Sequence, residues 1–298
     1  MNTDIKVTVL TPTFNRAYIL TNLFNSLCRQ SDQRFLWLIV DDGSSDNTRE
    51  VVGSFEENFE IQYIYKENGG KHTAINVGMQ WIHTEYTFIV DSDDYLKDNA
   101  IELINKWIEE TSGITGLAGI AGCRVNEENK IIGQFPNKCE YIDCLNSERR
   151  KYKLIGDKAE VYKTDLLKSH PFPIYEDERF LPESVVWNQF SLEGLKIRWY
   201  KEGIMTCGYL KDGLTSATKN IDHFRKNFKG YRDEFIISMQ VLKFPYSYSA
   251  ASVFYARCCA IGKSKNCLKD GGDYSEVCCA GRILILLMGQ FRHKIGRY

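Results

Sequence analysis

Four short apolar, β-rich runs in the first 110 residues, separated by segments of helical length, constrain this chain more than any other feature of it. The runs are Ile5 to Leu10, Phe35 to Val40, Ile61 to Tyr65 and Tyr86 to Val90. Between them lie segments near Tyr18 to Arg29, Asn47 to Glu57 and Thr73 to His83, and a further helix is expected near Asn99 to Glu110. Strand and helix alternating at this interval predict right-handed crossovers and an α/β fold with a mostly parallel central sheet. In open sheets of this kind ligands sit beyond the carboxyl ends of the strands. The loops after Leu10, Val40, Tyr65 and Val90 are therefore where chemistry is expected.

From Gly113 onward the alternation becomes irregular. Gly116 to Val125 and Lys130 to Phe135 read as a hairpin, a helix is expected near Ser184 to Leu195, and from Ile221 the chain reads as a mainly helical C-terminal region. A chain of 298 residues accommodates one large α/β domain with an appendage, here divided as residues 1–115, 116–218 and 219–298. With 38 basic against 39 acidic residues the formal net charge is −1, so the chain lacks the general basic field of a nucleic-acid binder. None of the ten cysteines falls in a CxxC spacing, and Met1 to Leu10 does not read as a signal peptide. A reducing, cytoplasmic setting with cysteines as small buried hydrophobes follows. No apolar run reaches the roughly 18 residues that span a bilayer.

The four loops are rich in particular chemistry. Asp91-Ser92-Asp93-Asp94 places three carboxylates at the end of an apolar strand, a hard-oxygen set suited to Mg²⁺ or Mn²⁺ against a diphosphate, or else an acidic helix start. An EF-hand does not fit, because Leu96 stands where its sharp turn needs glycine. Asp41-Asp42-Gly43-Ser44 offers carboxylates for a nucleobase or ribose, with Ser45 or Asp46 capping the next helix. Asn68-Gly69-Gly70-Lys71-His72 combines glycines that let backbone approach a ligand with a cation for phosphate. No glycine occurs in the first strand-to-helix turn, which argues against a dinucleotide dehydrogenase, and the Walker pattern GxxxxGK[ST] is absent.

Taken in order, VTVLTPTFNR, LIVDDGSSDNT, ENGGKHTAINVG and FIVDSDDYL resemble the successive motifs of family 2 glycosyltransferases, which have the GT-A fold. The resemblance covers residues 5 to about 110 strongly. It implies inverting transfer from a nucleotide-sugar, a UDP-sugar above all. Pro12, Phe14 and Asp42 are expected near the base, with Asp41 supporting that turn and Lys71 near the diphosphate. Asp91-Ser92-Asp93 is the expected DxD motif, Asp91 on the donor side and Asp93 the ligand of a divalent cation, Mn²⁺ or Mg²⁺.

More loosely, Glu178 to Asn188 resembles a segment of bacterial members that build surface polysaccharides, where an acidic residue before a helix deprotonates the acceptor hydroxyl. The commoner form there is Glu-Asp, whereas this chain has Glu183-Ser184. That makes Glu183 the candidate base and Glu176-Asp177 its rival. The acceptor implied is a saccharide or a lipid-linked saccharide, handled by the 116–218 half of the GT-A domain. A nucleotide-sugar-binding protein without activity and a sugar-phosphate nucleotidyltransferase are the competing readings. Near the C-terminus, Leu284, Leu287, Met288, Phe291 and Ile295 fall at helical spacing among Arg282, Arg292, Lys294 and Arg297. Such a helix either lies on the inner face of an anionic membrane as a peripheral contact or packs on protein.

Overall fold

The computed structural model describes residues 5–57, 59–208, 218, 220–243, 245–263 and 279–294, with side chains of the last segment from 285 onward. Strands β1 (Val7–Thr13), β2 (Phe35–Asp41), β3 (Glu60–Tyr65) and β4 (Tyr86–Ile89) lie parallel in the order β3-β2-β1-β4. Every residue of β1 is buried, which explains why the strand reads as a continuous apolar run rather than an alternation. Helices α1 (Ala17–Cys28), α2 (Thr48–Gly53) and α3 (Lys71–Trp81) connect them. Leu20, Leu23 and Leu27 form the buried stripe of α1, at the spacing of one helix face. In α3, Gly78 stands where a Cβ would come within 2.6 Å of Leu10 Cδ1, so only glycine lets this helix lie so close to the sheet.

After the two-residue strand β5 (Tyr95–Leu96) comes α4 (Ala100–Thr111), which buries Ile101, Ile104, Trp107 and Ile108. The sheet continues from β4 through β8 (Lys158–Lys163), β6 (Leu117–Val125) and β9 (Lys196–Thr206) to β5, and β7 (Tyr141–Cys144) pairs with β9. Parallel pairing holds among the first four strands and between β6 and β9; the other pairs are antiparallel, so the second half of this α/β sheet is mixed. The expected hairpin shrinks to a single antiparallel bridge between Val125 and Ile131. The reason is competition for edges: β9 occupies one side of β6, and β8 takes Gly119 to Cys123 on the other. The core is aromatic under β2, where Phe24 stacks on Phe55 at 4.0 Å and on Trp37 at 6.2 Å between ring centroids. Cys123, Cys144, Cys207 and Cys258 are buried as free thiols, while Cys139 is exposed; Cys278 lies outside the described residues.

The chain divides into two compact units, residues 1–172 with 193–210, and residues 173–192 with 211–298. The first holds the whole sheet, and α5 (Thr164–Ser169) follows β8 within it. The second contains α6 (Ser184–Leu192), α7 (Ile221–Lys226), α8 (Phe228–Val241), α9 (Tyr246–Ala260) and α10 (Cys279–Lys294). Its core gathers Phe224, Tyr231, Phe235, Phe254 and Ile285, with Phe235 and Phe254 stacked at 4.4 Å. Helix α10 packs through Ile285 and Gly289, and Arg292 reaches the Ser249 hydroxyl at 3.5 Å. This rotates the sequence-based stripe: Leu287 and Phe291 are 58% and 64% exposed. The side chains of Arg282 and Leu284, and all of Ile295 and Arg297, lie outside the described residues. No helix among the described residues is long and apolar enough to cross a membrane.

Candidate functional site

The loops that leave β1, β2 and β4 and the turn that begins α3 are fastened to one another by side-chain carboxylates. Asp41 ends β2 and Asp42 follows it, both buried. The Asp42 amide donates to Thr13 O at 2.8 Å, joining this turn to the end of β1. Its carboxylate receives four donors: Gly69 N (2.9 Å) and Lys66 Nζ (2.5 Å) on Oδ1, Gly70 N (2.7 Å) and Asn68 Nδ2 (3.2 Å) on Oδ2. A carboxylate has about four lone-pair sites, so all are occupied. Gly70 has φ of 95°, a left-handed conformation that glycine adopts without strain. Gly43 sits in the facing turn, where a Cβ would meet Asn68 N at 2.7 Å. Asp41 performs a similar service, accepting from Ser44 N at 2.7 Å and from the Tyr63 hydroxyl at 2.6 Å.

The loop after β1 is held from the same side. Asn15, with φ of 51°, donates its amide to Ser44 Oγ, and its side-chain oxygen accepts from Ser45 N at 2.8 Å. Asp46 accepts from Ala17 N and from Thr48 N, so one carboxylate serves the first turns of both α1 and α2. Burial alone would raise its carboxyl, but these hydrogen bonds hold it below the ordinary value. Pro12 is buried in β1, whereas Phe14 leaves one ring 45% exposed.

The acidic turn follows Val90, with Asp94 N donating to Asp91 O at 3.0 Å. Asp91 forms an ion pair with Lys71, the first residue of α3. Burial would raise the Asp91 carboxyl, yet the charges of Lys71 and Arg124 hold it below the usual carboxylate range. The Asp93 carboxyl is pushed up by burial and then by Asp91 beside it. Asp94 is pushed to about 7 by burial and by its two acidic neighbours, against the pull of Arg124. Asp94 is tied inward: Oδ2 accepts from Arg124 at 3.1 Å and Oδ1 from Gly208 N at 3.2 Å. Two crowded carboxylates thus remain toward the loops, Asp93 short of compensating charge. A hard cation shared with diphosphate oxygens fits such a donor set. Glu102 lies inside α4 and accepts from Ser31 Oγ, in line with rejection of an EF-hand.

The family model for glycosyl transferase family 2 matches residues 8–169, more than half of the chain and all four loops. The chain belongs to that family. TarS from Staphylococcus aureus strain MW2, a poly(ribitol-phosphate) beta-N-acetylglucosaminyltransferase, is 29% identical over 170 residues, covering 56% of this chain and 29% of TarS. The glycosyltransferase GlyA from Streptococcus pneumoniae serotype 4 is 33% identical over 218 residues, covering 66% of this chain and 31% of GlyA. The matches thus span less than a third of these two relatives' own length. Among solved structures, S. aureus TarS 1–349 in complex with UDP-GlcNAc matches with a TM-score of 0.70 at 17% identity, over 98% of this chain and 93% of that one. A mannosyltransferase from Pyrobaculum calidifontis in complex with GDP-Man and Mn²⁺ matches at 0.57 and 15% identity, over 98% and 88%. The fold is GT-A.

Within this family 2 chain, the residues picked out by sequence fall in two places. Pro12, Phe14, Asp41, Asp42, Lys71, Asp91 and Asp93 belong to the first unit, at the loops just described. His72 is buried, so of the Lys71-His72 pair only the lysine is open to a ligand. Glu183 belongs to the second unit, immediately before α6, whose first turn uses its carbonyl as acceptor for Val186 N and Trp187 N. Of its rivals, Glu176 is exposed and Asp177 is paired with Lys229 at 2.6 Å.

Four residues were missed. Arg124, on β6, donates to Lys158 O at 3.0 Å and to Asp94, anchoring the acidic turn from behind. Arg16 acts electrostatically on Asp93, and Lys66 and Asn68 hold Asp42. Arg16 and Asn68 stand within the recognised motifs and Lys66 immediately before one, all legible as polar loop residues. Arg124 sits alone in an apolar strand, with no pattern to mark it.

Asp42→Ala is expected to strip Gly69 N and Gly70 N of their acceptor and lower unfolding stability by about 3 kcal/mol. Urea denaturation measures the loss, and wild-type stability in the variant contradicts the role given to this carboxylate.

Proposed function

We propose that this family 2 chain is an inverting glycosyltransferase that moves a sugar from a UDP-sugar to a hydroxyl of a saccharide or lipid-linked saccharide in surface polysaccharide synthesis. The observation that carries the proposal is the pairing of Lys71 with Asp91 beside a less compensated Asp93, at the carboxyl end of a parallel strand. A flanking cation and a crowded acidic turn suit a diphosphate leaving group bridged to the protein by a hard cation. Support for the donor comes from TarS, solved with UDP-GlcNAc and with UDP. A nucleotidyltransferase would call for a glycine-rich basic loop after β1, and Thr11 to Arg16 has no glycine.

In this proposal Phe14 offers its exposed ring to the base, Pro12 shapes the floor, and Asp41 and Asp42 hold the turn and the glycine loop that frame it. Lys71 exchanges Asp91 for the diphosphate. Asp93, with Asp91 at the donor side, would hold Mn²⁺ or Mg²⁺, which when bound neutralises charge growing on the leaving diphosphate. Glu183 takes the proton from the acceptor hydroxyl, whose oxygen attacks the anomeric carbon as the bond to the diphosphate breaks. Configuration inverts in this single displacement. Cys123 and Cys207 take no part, since burial pushes their thiols to about 11.

Nucleotide release from a panel of UDP-, GDP- and dTDP-sugars, with and without chelator, tests the reading, and no turnover of any donor would overturn it. Asp93→Ala should abolish metal-dependent transfer while leaving the thermal melt near wild type, because an acidic loop residue adds little to the core. Glu183→Gln should lower kcat by about 10² to 10⁴ with donor affinity little changed. Near wild-type turnover in either variant removes that residue's assignment.

We infer further that α10 makes a peripheral contact with an anionic bilayer, because exposed Leu287 and Phe291 adjoin Arg292, His293 and Lys294 in its last turns. Both apolar side chains are open to solvent, so the double variant Leu287→Asp/Phe291→Asp should fold as wild type does. The wild type should sediment with vesicles of phosphatidylglycerol, and the variant should remain in the supernatant. Equal sedimentation of the two, or none of either, would exclude this helix as the anchor.

A further inference from the structure

The segment that carries Glu183 is held by the first turns of α8, within the second unit. Glu178, only 4% exposed, accepts from Lys229 N at 2.7 Å and Gly230 N at 2.9 Å, serving two of the amide donors that a helix start leaves without partners. Asn227 returns the favour with one side-chain oxygen, accepting from Arg179 N at 3.1 Å and Phe180 N at 3.0 Å. Tyr175 donates its hydroxyl to Asp233. Gly230 permits the approach, since a Cβ there would stand 2.9 Å from Phe180 O and 3.3 Å from Leu181 Cα. At the far end of the segment, Ser184 Oγ donates to Glu234 Oε1 at 2.7 Å.

This last bond differs from the others in cost and in place. Burial pushes the Glu234 carboxyl up, and the Ser184 hydrogen bond and the charge of Arg257 draw it back. Burying a carboxyl is expensive, and an apolar contact would pin the segment as firmly for less. What the carboxyl adds is direction, because it accepts from one hydroxyl on the residue adjoining Glu183. Since Val186 N and Trp187 N both donate to Glu183 O, the backbone from 183 to 187 moves as one piece. Fixing Ser184 therefore fixes the direction in which the Glu183 side chain leaves the backbone.

We propose that Glu234, acting through Ser184, is the positioning residue for the Glu183 carboxylate, an inference that rests on Glu183 being the base. The C-terminal helices are then part of the catalytic apparatus.

The test is a double-mutant cycle on the full chain, with kcat, donor KM and the thermal melt measured for Glu183→Gln, Ser184→Ala and the two combined. Ser184→Ala should lower kcat by about 10- to 100-fold, as a displaced catalytic group does, with donor KM within twofold. In the Glu183→Gln background the same change should cost less than twofold, because there is no base left to aim. Glu234→Gln keeps an acceptor oxygen and should retain most of kcat, whereas Glu234→Ala should match Ser184→Ala. Equal losses from Ser184→Ala in both backgrounds, or losses that follow the melt alone, would overturn the positioning role while leaving the base intact. Wild-type kcat in Glu183→Gln by itself would remove the base and this inference with it.

Discussion

The four hydrogen bonds on the Asp42 carboxylate are the constraint on which the nucleotide-side loops depend. Those loops leave different strands, and without a shared acceptor Gly69 N and Gly70 N would be donors at a helix start with nothing to meet them. By following β2 with a carboxylate that faces the turn before α3, the chain converts sequence-distant segments into one surface. The amide of the same residue reaches Thr13 O, so the loop after β1 enters the arrangement through the same position. Glycines 43 and 70 follow from this constraint, one to let the turns approach and one to supply a left-handed φ.

Charge balance sets the second level of organisation. Asp91, Asp93 and Asp94 repel one another, and each has a different answer to that repulsion. Asp94 turns inward to Arg124 and Gly208 N, Asp91 to Lys71, and Asp93 is left with a carboxyl raised by burial and by Asp91. Charge compensation thereby differs from one carboxylate to the next within four residues. Arg124 makes this possible: a guanidinium can bond Lys158 O and Asp94 at once in fixed geometry, which an ammonium does less well.

How much of this was legible depended on whether a signal was local. The parallel half was, since β1 and β2 are buried on both faces and their continuous apolar runs cannot be confused with alternating ones. Asp91, Asp93, Asp41, Asp42 and Lys71 stood out as candidates because each lies at or near the end of such a run. The supposed hairpin after Gly116 was misread because the pattern of β6 fits any strand; which neighbours take its two edges is decided by β8 and β9, far away in sequence. Arg124 and Glu234 were invisible for a related reason. Arg124 is a lone charge in an apolar strand and Glu234 one of three successive charges on a helix, and the meaning of each appears only when its partner arrives from another element.

The two units show different ways of placing carboxylates. In the first, Asp42 and Asp94 are spent on backbone amides and fixed cations, and other acids stand one or three residues away. In the second, Glu178 is spent on the amides that open α8, and Glu183 stands five residues on. An acid saturated by protein donors and a second acid close in sequence recur in both. The saturated one fixes the backbone, and because the Cα–Cβ direction follows the backbone, it also sets the direction in which the neighbouring acid leaves the chain. Such a division keeps the ordering cost in the folded protein rather than in the encounter with substrate, which is the condition for preorganised electrostatics to act.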